Sequence, residues 1–166
     1  MLNTVRAWRA QDRDAVLALN TELQEHERAL RPSLRPGPAM TEAYVTALEA
    51  RLARVGEDGA LLVAEGPGGQ VLGFATCFVD EDELEREPRL VRIEDVVVAR
   101  AARRQGIARA LLAEASRFAG RHGIRRVVLS VLALNAEAAA AYHAAGFRPV
   151  KLTLERWLDE EEAAAP

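Results

Sequence analysis

Cysteine is nearly absent from this 166-residue chain, because Cys77 is the only one. A single cysteine excludes an intramolecular disulfide framework and a metal cage built from cysteines. No run of about 18 apolar residues occurs, so no membrane-spanning helix is predicted. The first residues also lack the apolar segment of a secretory signal. We therefore expect a protein of the reducing cytoplasm that has no membrane partner.

An excess of positive charge is absent as well. Lys and Arg number 22 against 25 Asp and Glu, which gives a formal net charge of −3. General nucleic-acid binders usually carry a basic face, so a nucleic-acid partner is not expected. Lys151 is the one lysine. We attribute the dominance of arginine and alanine to a GC-rich genome, as in some bacteria, and not to function.

What the chain does contain is enough for one domain. Hydrophobic residues make up 49% and charged residues 28% of the sequence, as in ordinary soluble domains. A compact domain typically has about 100–200 residues, and no linker or repeat divides this chain. We expect a single domain over residues 1–166, with a core at 3–157 and a polar Glu/Ala tail at 158–166.

Periodicity and turn residues predict strands that alternate with helices in the second half of the chain. We expect Asp12 to cap the first helix. The predicted strands cover residues 3–9, 60–65, 71–79, 90–98, 126–134 and 150–157, and the predicted helices cover 12–27, 41–54, 106–122 and 136–145. This order favours an α/β (α+β) fold with a mixed sheet and helices on both faces.

The stretch from 90 to 119 carries the chemical signal, because a strand leads through an arginine-rich loop into a helix. The first N–H groups of a helix lack intrahelical partners and attract anions. Gly106 and Ala108 leave that backbone open, while Arg103 and Arg104 add positive charge. The pattern favours a diphosphate site. The alternative is a basic loop that only closes an ordinary strand–helix unit.

Two other phosphate motifs do not fit this loop. A P-loop requires Lys and Ser or Thr after its second glycine, but Ile107 and Ala108 follow Gly106. A dinucleotide-binding fingerprint requires three glycines, and the loop has one.

Two segments together resemble the GNAT superfamily of acyl-CoA-dependent N-acetyltransferases. Arg103-x-x-Gly106-x-Ala108 after a strand is similar to that family's [QR]-x-x-G-x-[GA] acyl-CoA signature. The segment 135–147 is similar to its N-x-x-A-x-x-x-Y-x-x-x-G-F element. The resemblance covers roughly residues 3–157. It implies a mixed, mostly antiparallel sheet of about 6–7 strands, with a parallel pair at 90–98 and 126–134 that splays apart.

The resemblance also implies a binding mode for acetyl-CoA as acyl donor. Backbone amides of Gln105, Gly106, Ile107, Ala108 and Arg109 would hold the diphosphate, near Arg103 and Arg104. The strand residues Val96, Val97 and Val98 would pair with the pantetheine arm, as an added strand does. Asn135 would cap the next helix and contact the cofactor, and Tyr142 would stand near the thioester sulfur. Asn135 as a cap alone, and Tyr142 as a core aromatic alone, are the alternatives.

The implied reaction is attack of an amine on the thioester. An amine with a pKa near 10.4 costs about 4.6 kcal/mol to deprotonate at pH 7, so a base is useful. We predict Glu94 as the base, with Asp95 as second choice. Alternation places Glu94 on the face of Val96 and Val98, unless a bulge intervenes. Tyr142 would be the general acid, and no metal is expected.

The acceptor is not readable from motifs. We expect its pocket in the loop at 31–40, the acidic segment at 80–87 and the final strand, where carboxylates would favour a cationic amine. A solubilising loop at 80–87 is the alternative. A small primary amine is the expected acceptor, by direct attack in a ternary complex. A peptide amine or a silent acyl-CoA-binding module are rival functions, and a homodimer is compatible with the fold.

Overall fold

The computed structural model describes residues 4–34 and 38–157, and the predicted polar tail at 158–166 lies outside them. Nine helices and strands make up this part, apart from three short 3-10 turns. In chain order they are β1 (Thr4–Ala7), α1 (Arg13–Leu30), α2 (Pro38–Val55), β2 (Gly59–Glu65), β3 (Val71–Glu81), β4 (Arg89–Val98), α3 (Ile107–Arg121), β5 (Val127–Leu129) and α4 (Ala136–Ala144). No helix in the described ranges is long and apolar enough to cross a membrane.

One mixed sheet with the order β1-β2-β3-β4-β5 organises the fold. The first four strands pair antiparallel, whereas β5 runs parallel to β4. The predicted fold class is thereby confirmed, including the parallel pair. The expectation of 6–7 strands is wrong, since the described residues form five.

Helices cover both faces of the sheet because both faces are apolar. On one face Ile107, Leu111 and Ala115 of α3 are buried against the sheet. On the other face α1 and α2 bury apolar residues against Phe74 and Phe78 of β3. Each face thus has its own core, and β4 lies between the two.

The last predicted strand does not form. Residues 150–157 carry no strand assignment, and Val150, Leu152 and Leu154 are 86%, 74% and 84% exposed. Their alternating apolar pattern is typical of a strand. A strand needs a neighbour for its backbone groups, however, and no described strand pairs with this segment. Strand β5 is likewise three residues long, shorter than the predicted 126–134.

Asp12 does not cap α1 as the sequence predicts, because its carboxylate is engaged elsewhere. Asp12 stands at the N-cap position but its side chain accepts no capping hydrogen bond. Both of its oxygens accept from the Arg6 guanidinium, at 2.7 and 3.0 Å, and Oδ2 also accepts from Arg9 N–H. The buried carboxylate therefore ties β1 to the start of α1.

Candidate active site

A cavity of about 830 Å³ opens where β4 and β5 diverge. The parallel pairing ends at Ile93 and Leu129. Beyond this point the edge of β4 that faces β5 has no strand partner among the described strands, and residues 94–98 line the cavity together with 130–132. The splayed parallel pair that the resemblance implies is therefore present, and the gap between its strands forms this cavity.

Arginines and a helix N-terminus form one end of the cavity. Gly106 precedes α3 with φ +79°, and no side chain caps the first N–H groups of the helix. Arg104 is the one described non-glycine residue with positive φ, at +64°. Left-handed residues next to right-handed ones turn successive N–H groups toward one concavity, which suits an anion. Such backbone costs on the order of 1–3 kcal/mol and concentrates at functional sites.

The residues predicted to bind the cofactor come together around this cavity, with one exception. Gln105 lines a smaller neighbouring cavity beside Leu72 and Ala102. The others line the main cavity: Val96, Val97, Val98, Arg103, Arg104, Gly106, Ile107, Ala108, Arg109, Asn135 and Tyr142. Arg103 also lies 3.7 Å from the Glu137 carboxylate of α4, so the loop and α4 approach each other across the opening.

Asn135 has the capping role that the sequence predicts. Its Oδ1 accepts a hydrogen bond of 3.1 Å from Ala138 N–H at the start of α4. Asn135 also lines the cavity. The cap therefore fixes α4, and with it Tyr142, above the gap between β4 and β5.

A bulge in β4 sets the direction of its two acidic residues. Ala75 pairs with Val96 and Cys77 with Ile93, so Thr76 alone stands opposite Glu94 and Asp95. Both carboxylates reach residues of α2. Val96 and Val98 instead pack against the core under α3. The expectation that Glu94 shares their face is therefore wrong, because the bulge interrupts the alternation on which it depended.

Asp95 lines the cavity and belongs to a small hydrogen-bond network. Tyr44 O–H donates to its Oδ2, and Thr76 O–H donates to the same oxygen at 2.9 Å. The Asp95 N–H in turn donates to Thr76 Oγ1 at 3.0 Å. Burial raises the pKa of Asp95, while the bonds from Tyr44 and Thr76 oppose that rise.

Glu94 is held in an ion pair. Arg51 Nη1 donates to both of its oxygens, at 2.8 and 2.7 Å. The same guanidinium lies 3.6 Å from the centre of the Phe78 ring, so the side chain is fixed on two sides. Glu94 nevertheless contributes to the cavity wall.

Tyr142 projects from α4 into the cavity close to these acids. Burial raises the pKa of Tyr142 to about 12, and the charges of Asp95 and Glu27 add to the rise. Burial likewise raises the pKa of Glu27 on α1, as does the charge of Asp95. Tyr142 therefore remains a hydrogen-bond donor at any physiological pH.

Two of the acidic residues that line the cavity come from α1, which the sequence analysis did not predict. Glu22 and Glu27 of α1 line the cavity, whereas residues 80–87 do not contribute to it. Asp80 pairs with Arg92, and Arg126 contacts Asp82 and Glu85. None of the three segments expected to form the acceptor pocket, 31–40, 80–87 and 150–157, lines this cavity within the described ranges, from which residues 35–37 are missing, so an acceptor pocket there stays a prediction.

Within the described ranges, neither a metal-binding cluster nor a cysteine lines the cavity. No group of three or more His, Cys, Asp or Glu side chains within 4–34 and 38–157 is arranged to hold a metal ion. Cys77 is fully buried in the core under α3, and burial raises the pKa of its thiol to about 12. The thiol stays protonated and out of reach of a ligand.

Fold and cavity together define an acyltransferase of the N-acetyltransferase type. The chain belongs to the acetyltransferase (GNAT) family, whose model matches residues 20–147. The resemblance predicted from the two sequence segments is thus confirmed.

The chain is similar in sequence to one curated relative and in fold to several solved structures. The chain is 32% identical over 114 residues to "Probable glucosamine 6-phosphate N-acetyltransferase 2" of Oryza sativa subsp. japonica, which spans 65% of this chain and 69% of the relative. A mutant of the BH1408 protein from Bacillus halodurans superposes with a TM-score of 0.77 at 22% identity, covering 93% of this chain and 99% of that one. AAC(6')-Iy, solved with the bisubstrate analog CoA-S-monomethyl-acetylneamine, superposes with a TM-score of 0.71 at 18% identity, covering 96% and 99%.

Proposed function

We propose that this enzyme transfers an acetyl group from acetyl-CoA to a small primary amine that carries positive charge. The observation that carries the proposal is the charge distribution along the cavity between β4 and β5. Arg103, Arg104 and Arg109 line it beside the N-terminus of α3, and carboxylates line it beside the bulge of β4. The stretch from Asp95 to Val98 alone spans about 10 Å at the usual rise per residue. A diphosphate and an ammonium group thus find separate, complementary ends.

The donor would lie along the open edge of β4. Its diphosphate would accept hydrogen bonds from the amides of residues 105–109 and from the flanking arginines. The backbone of Val96 and Val98 would pair with the amide groups of the pantetheine arm, because this edge has no strand partner in the described sheet. Asn135 and Tyr142 would contact the arm from α4.

Direct attack of the amine on the thioester accounts best for these surroundings. A covalent acyl-enzyme on cysteine would need an accessible thiolate, and Cys77 is buried with a raised pKa. Tyr142 would donate a hydrogen bond to the departing sulfur. Proton transfer from a pKa of about 12 to a thiolate near 8.5 is uphill by about 5 kcal/mol, so donation in the transition state is favoured over full prior transfer.

The acceptor differs from that of the rice relative in its expected charge. Glucosamine 6-phosphate carries a phosphate, whereas Glu22, Glu27 and Asp95 line this cavity. Like charges at short range disfavour binding. The same carboxylates that disfavour binding of a phosphosugar favour binding of a diamine or polyamine.

Calorimetry with acetyl-CoA, followed by thiol release on an amine panel, tests the proposal. The panel contains spermidine, glucosamine 6-phosphate and a short peptide with a free amino terminus. We expect binding, and turnover fastest on spermidine. Fastest turnover on the peptide would favour the peptide acetyltransferase, and binding without any turnover the silent acyl-CoA module. Absence of binding would refute the donor site.

A further inference from the structure

Asp95 is held at one carboxylate oxygen only. Tyr44 and Thr76 both donate to Oδ2. Among the described residues no group hydrogen-bonds to Oδ1, and Asp95 lines the cavity. A carboxylate that is fixed at one oxygen and open at the other has a lone pair available in a defined direction.

We propose that Asp95 accepts the proton of the attacking amine and that Tyr44 and Thr76 are the residues that position it. The inference rests on the proposed acetyl transfer and adds the identity of the base. Tyr44 comes from α2 and Thr76 from β3. The carboxylate is therefore clamped between two layers of the fold and not left on a mobile side chain.

Glu94 is less suited to the same task. Both of its oxygens accept from Arg51, which also stacks on Phe78. A carboxylate engaged by a guanidinium at both oxygens must give up a charge-assisted contact to take a proton. Glu94 would instead set the electrostatic potential at Asp95, its neighbour in the bulge.

The charged and titratable groups around Asp95 come from four elements. They are Tyr44 and Arg51 of α2, Glu94 of β4, His26 and Glu27 of α1, and Tyr142 of α4. Burial raises the pKa of Asp95 above its ordinary value, and the charge of Glu94 raises it further. Hydrogen bonds from Tyr44 and Thr76 act in the opposite direction. A raised pKa makes a carboxylate a stronger base toward an ammonium group, and the two bonds limit that rise.

The proton balance of the step is complete without a co-reactant. An ammonium acceptor gives one proton to Asp95, which releases it to solvent after the reaction. The nitrogen lone pair then forms the C–N bond, and the C–S bond breaks with its electron pair on sulfur. The nitrogen loses its second proton to water, and this proton balances the one that sulfur receives from the side of Tyr142. The products are the acetamide, the free thiol and one proton.

The experiment compares pH profiles of kcat/KM for acetyl-CoA and the panel amine that the native enzyme acetylates fastest. Asp95→Asn should lower kcat at neutral pH by about 100-fold or more. It should also abolish the acidic limb of the profile, which is the fall of kcat/KM at low pH caused by protonation of Asp95. In this variant kcat/KM should rise only as the pH approaches the pKa of the amine. Affinity for acetyl-CoA, measured by calorimetry, should change less than threefold.

The positioning residues and Glu94 should shift the limb in opposite directions. Tyr44→Phe and Thr76→Val each remove a bond that lowers the pKa of Asp95, so the acidic limb should move to higher pH, by about half a unit to one unit. Thr76→Ser restores the hydroxyl and should return the limb toward its native position. Glu94→Gln removes a negative neighbour and should move the limb to lower pH.

A matched control and two outcomes make the inference falsifiable. Thr46→Val removes an exposed hydroxyl from the same helix as Tyr44 and should leave the profile unchanged. An acidic limb that stays native-like in Asp95→Asn and is lost in Glu94→Gln would assign the base to Glu94 and overturn the inference while leaving the acetyl transfer intact. An inactive native enzyme would overturn both.

Discussion

Arg51 and Glu94 join α2 to the bulge of β4, with Arg51 Nη1 within 2.8 Å of both Glu94 oxygens. Tyr44, two turns earlier on the same helix, donates to the adjacent Asp95. Two consecutive residues of the strand are thus bound by one helix. The bulge that turns both acids to this side is therefore fixed by side-chain bonds as well as by the sheet.

Gly106 should be irreplaceable for conformational reasons. A Cβ at this position would meet no atom within 4 Å, but φ is +79°. Gly106→Val should therefore cost about 1–2 kcal/mol if the loop keeps its shape, or else change that shape. We expect acetyl-CoA affinity to fall by at least tenfold in calorimetry.

Gly120 offers the matched control for this substitution. It lies inside α3, also with open space around a new Cβ, and without a positive φ. Gly120→Ala should stabilise the protein by about 0.5–1 kcal/mol and leave acetyl-CoA affinity unchanged. Equal affinity in both variants would remove the role of the Gly106 turn.

Substitutions at Asn135 can separate its cap from any cofactor contact. Asn135→Ala should lower stability by about 1 kcal/mol in urea unfolding, because Ala138 N–H loses its acceptor. Asn135→Asp keeps a capping oxygen and favours the helix dipole, so stability should be retained. If acetyl-CoA affinity falls in Asn135→Asp as well as in Asn135→Ala, Asn135 contacts the cofactor directly. If affinity falls only in Asn135→Ala, together with stability, Asn135 acts as a cap alone.

Tyr142→Phe should slow turnover about 100-fold at saturating acetyl-CoA, because the hydroxyl is lost while the ring keeps its edge contact with Phe147. With a pKa of about 12, Tyr142 stays protonated up to strongly alkaline pH. The native enzyme should therefore show no loss of kcat through this group between about pH 6 and 10. A native rate in Tyr142→Phe would show that the tyrosine only packs.

The Arg6–Asp12 pair should give the fold a defined dependence on acid. The Arg6 hydrogen bonds lower the pKa of Asp12, which is 5% exposed. Its contribution to stability is thus complete above the ordinary value near 3.8 and is lost as pH falls through the lower, folded-state pKa.

The Asp12 substitution tests that dependence. Asp12→Asn should cost about 3 kcal/mol in urea unfolding at pH 7, because Arg6 is left without its main partner. The difference from the native protein should shrink on acidification. Asp14→Asn, an exposed residue in the same helix start, should cost less than about 1 kcal/mol at either pH. A difference that is constant with pH would exclude the ion pair as its cause.

Much of the fold could be predicted because its signals are local. The spacing of Ile107, Leu111 and Ala115 fixes α3, and the two motif segments are continuous stretches of chain. The cavity then follows from the end of the β4–β5 pairing. The prediction of a last strand was wrong because the alternation of Val150, Leu152 and Leu154 indicates that a segment can pair but not that a partner strand is present.

The acidic side of the site could not be read in the same way. Tyr44 and Asp95 are 51 positions apart in the chain, and no motif links them. The one available signal for this network was the position of Tyr44, which stands beside Val45 and three residues after Thr41. Both of these residues are buried. A tyrosine on a buried helix face requires a partner for its hydroxyl. The bulge at Glu94 and Asp95 left no mark in the residue pattern.

The edge of β4 beyond Ile93, which has no strand partner among the described residues, has a thermodynamic consequence for the whole molecule. If acetyl-CoA completes this edge, the donor acts as a removable strand, and its binding free energy adds to the folding free energy. A concentration 100 times the dissociation constant would contribute about 2.7 kcal/mol. The melting temperature would then rise with donor supply, and the lifetime of the enzyme in the cell would follow the state of its acetyl-CoA pool.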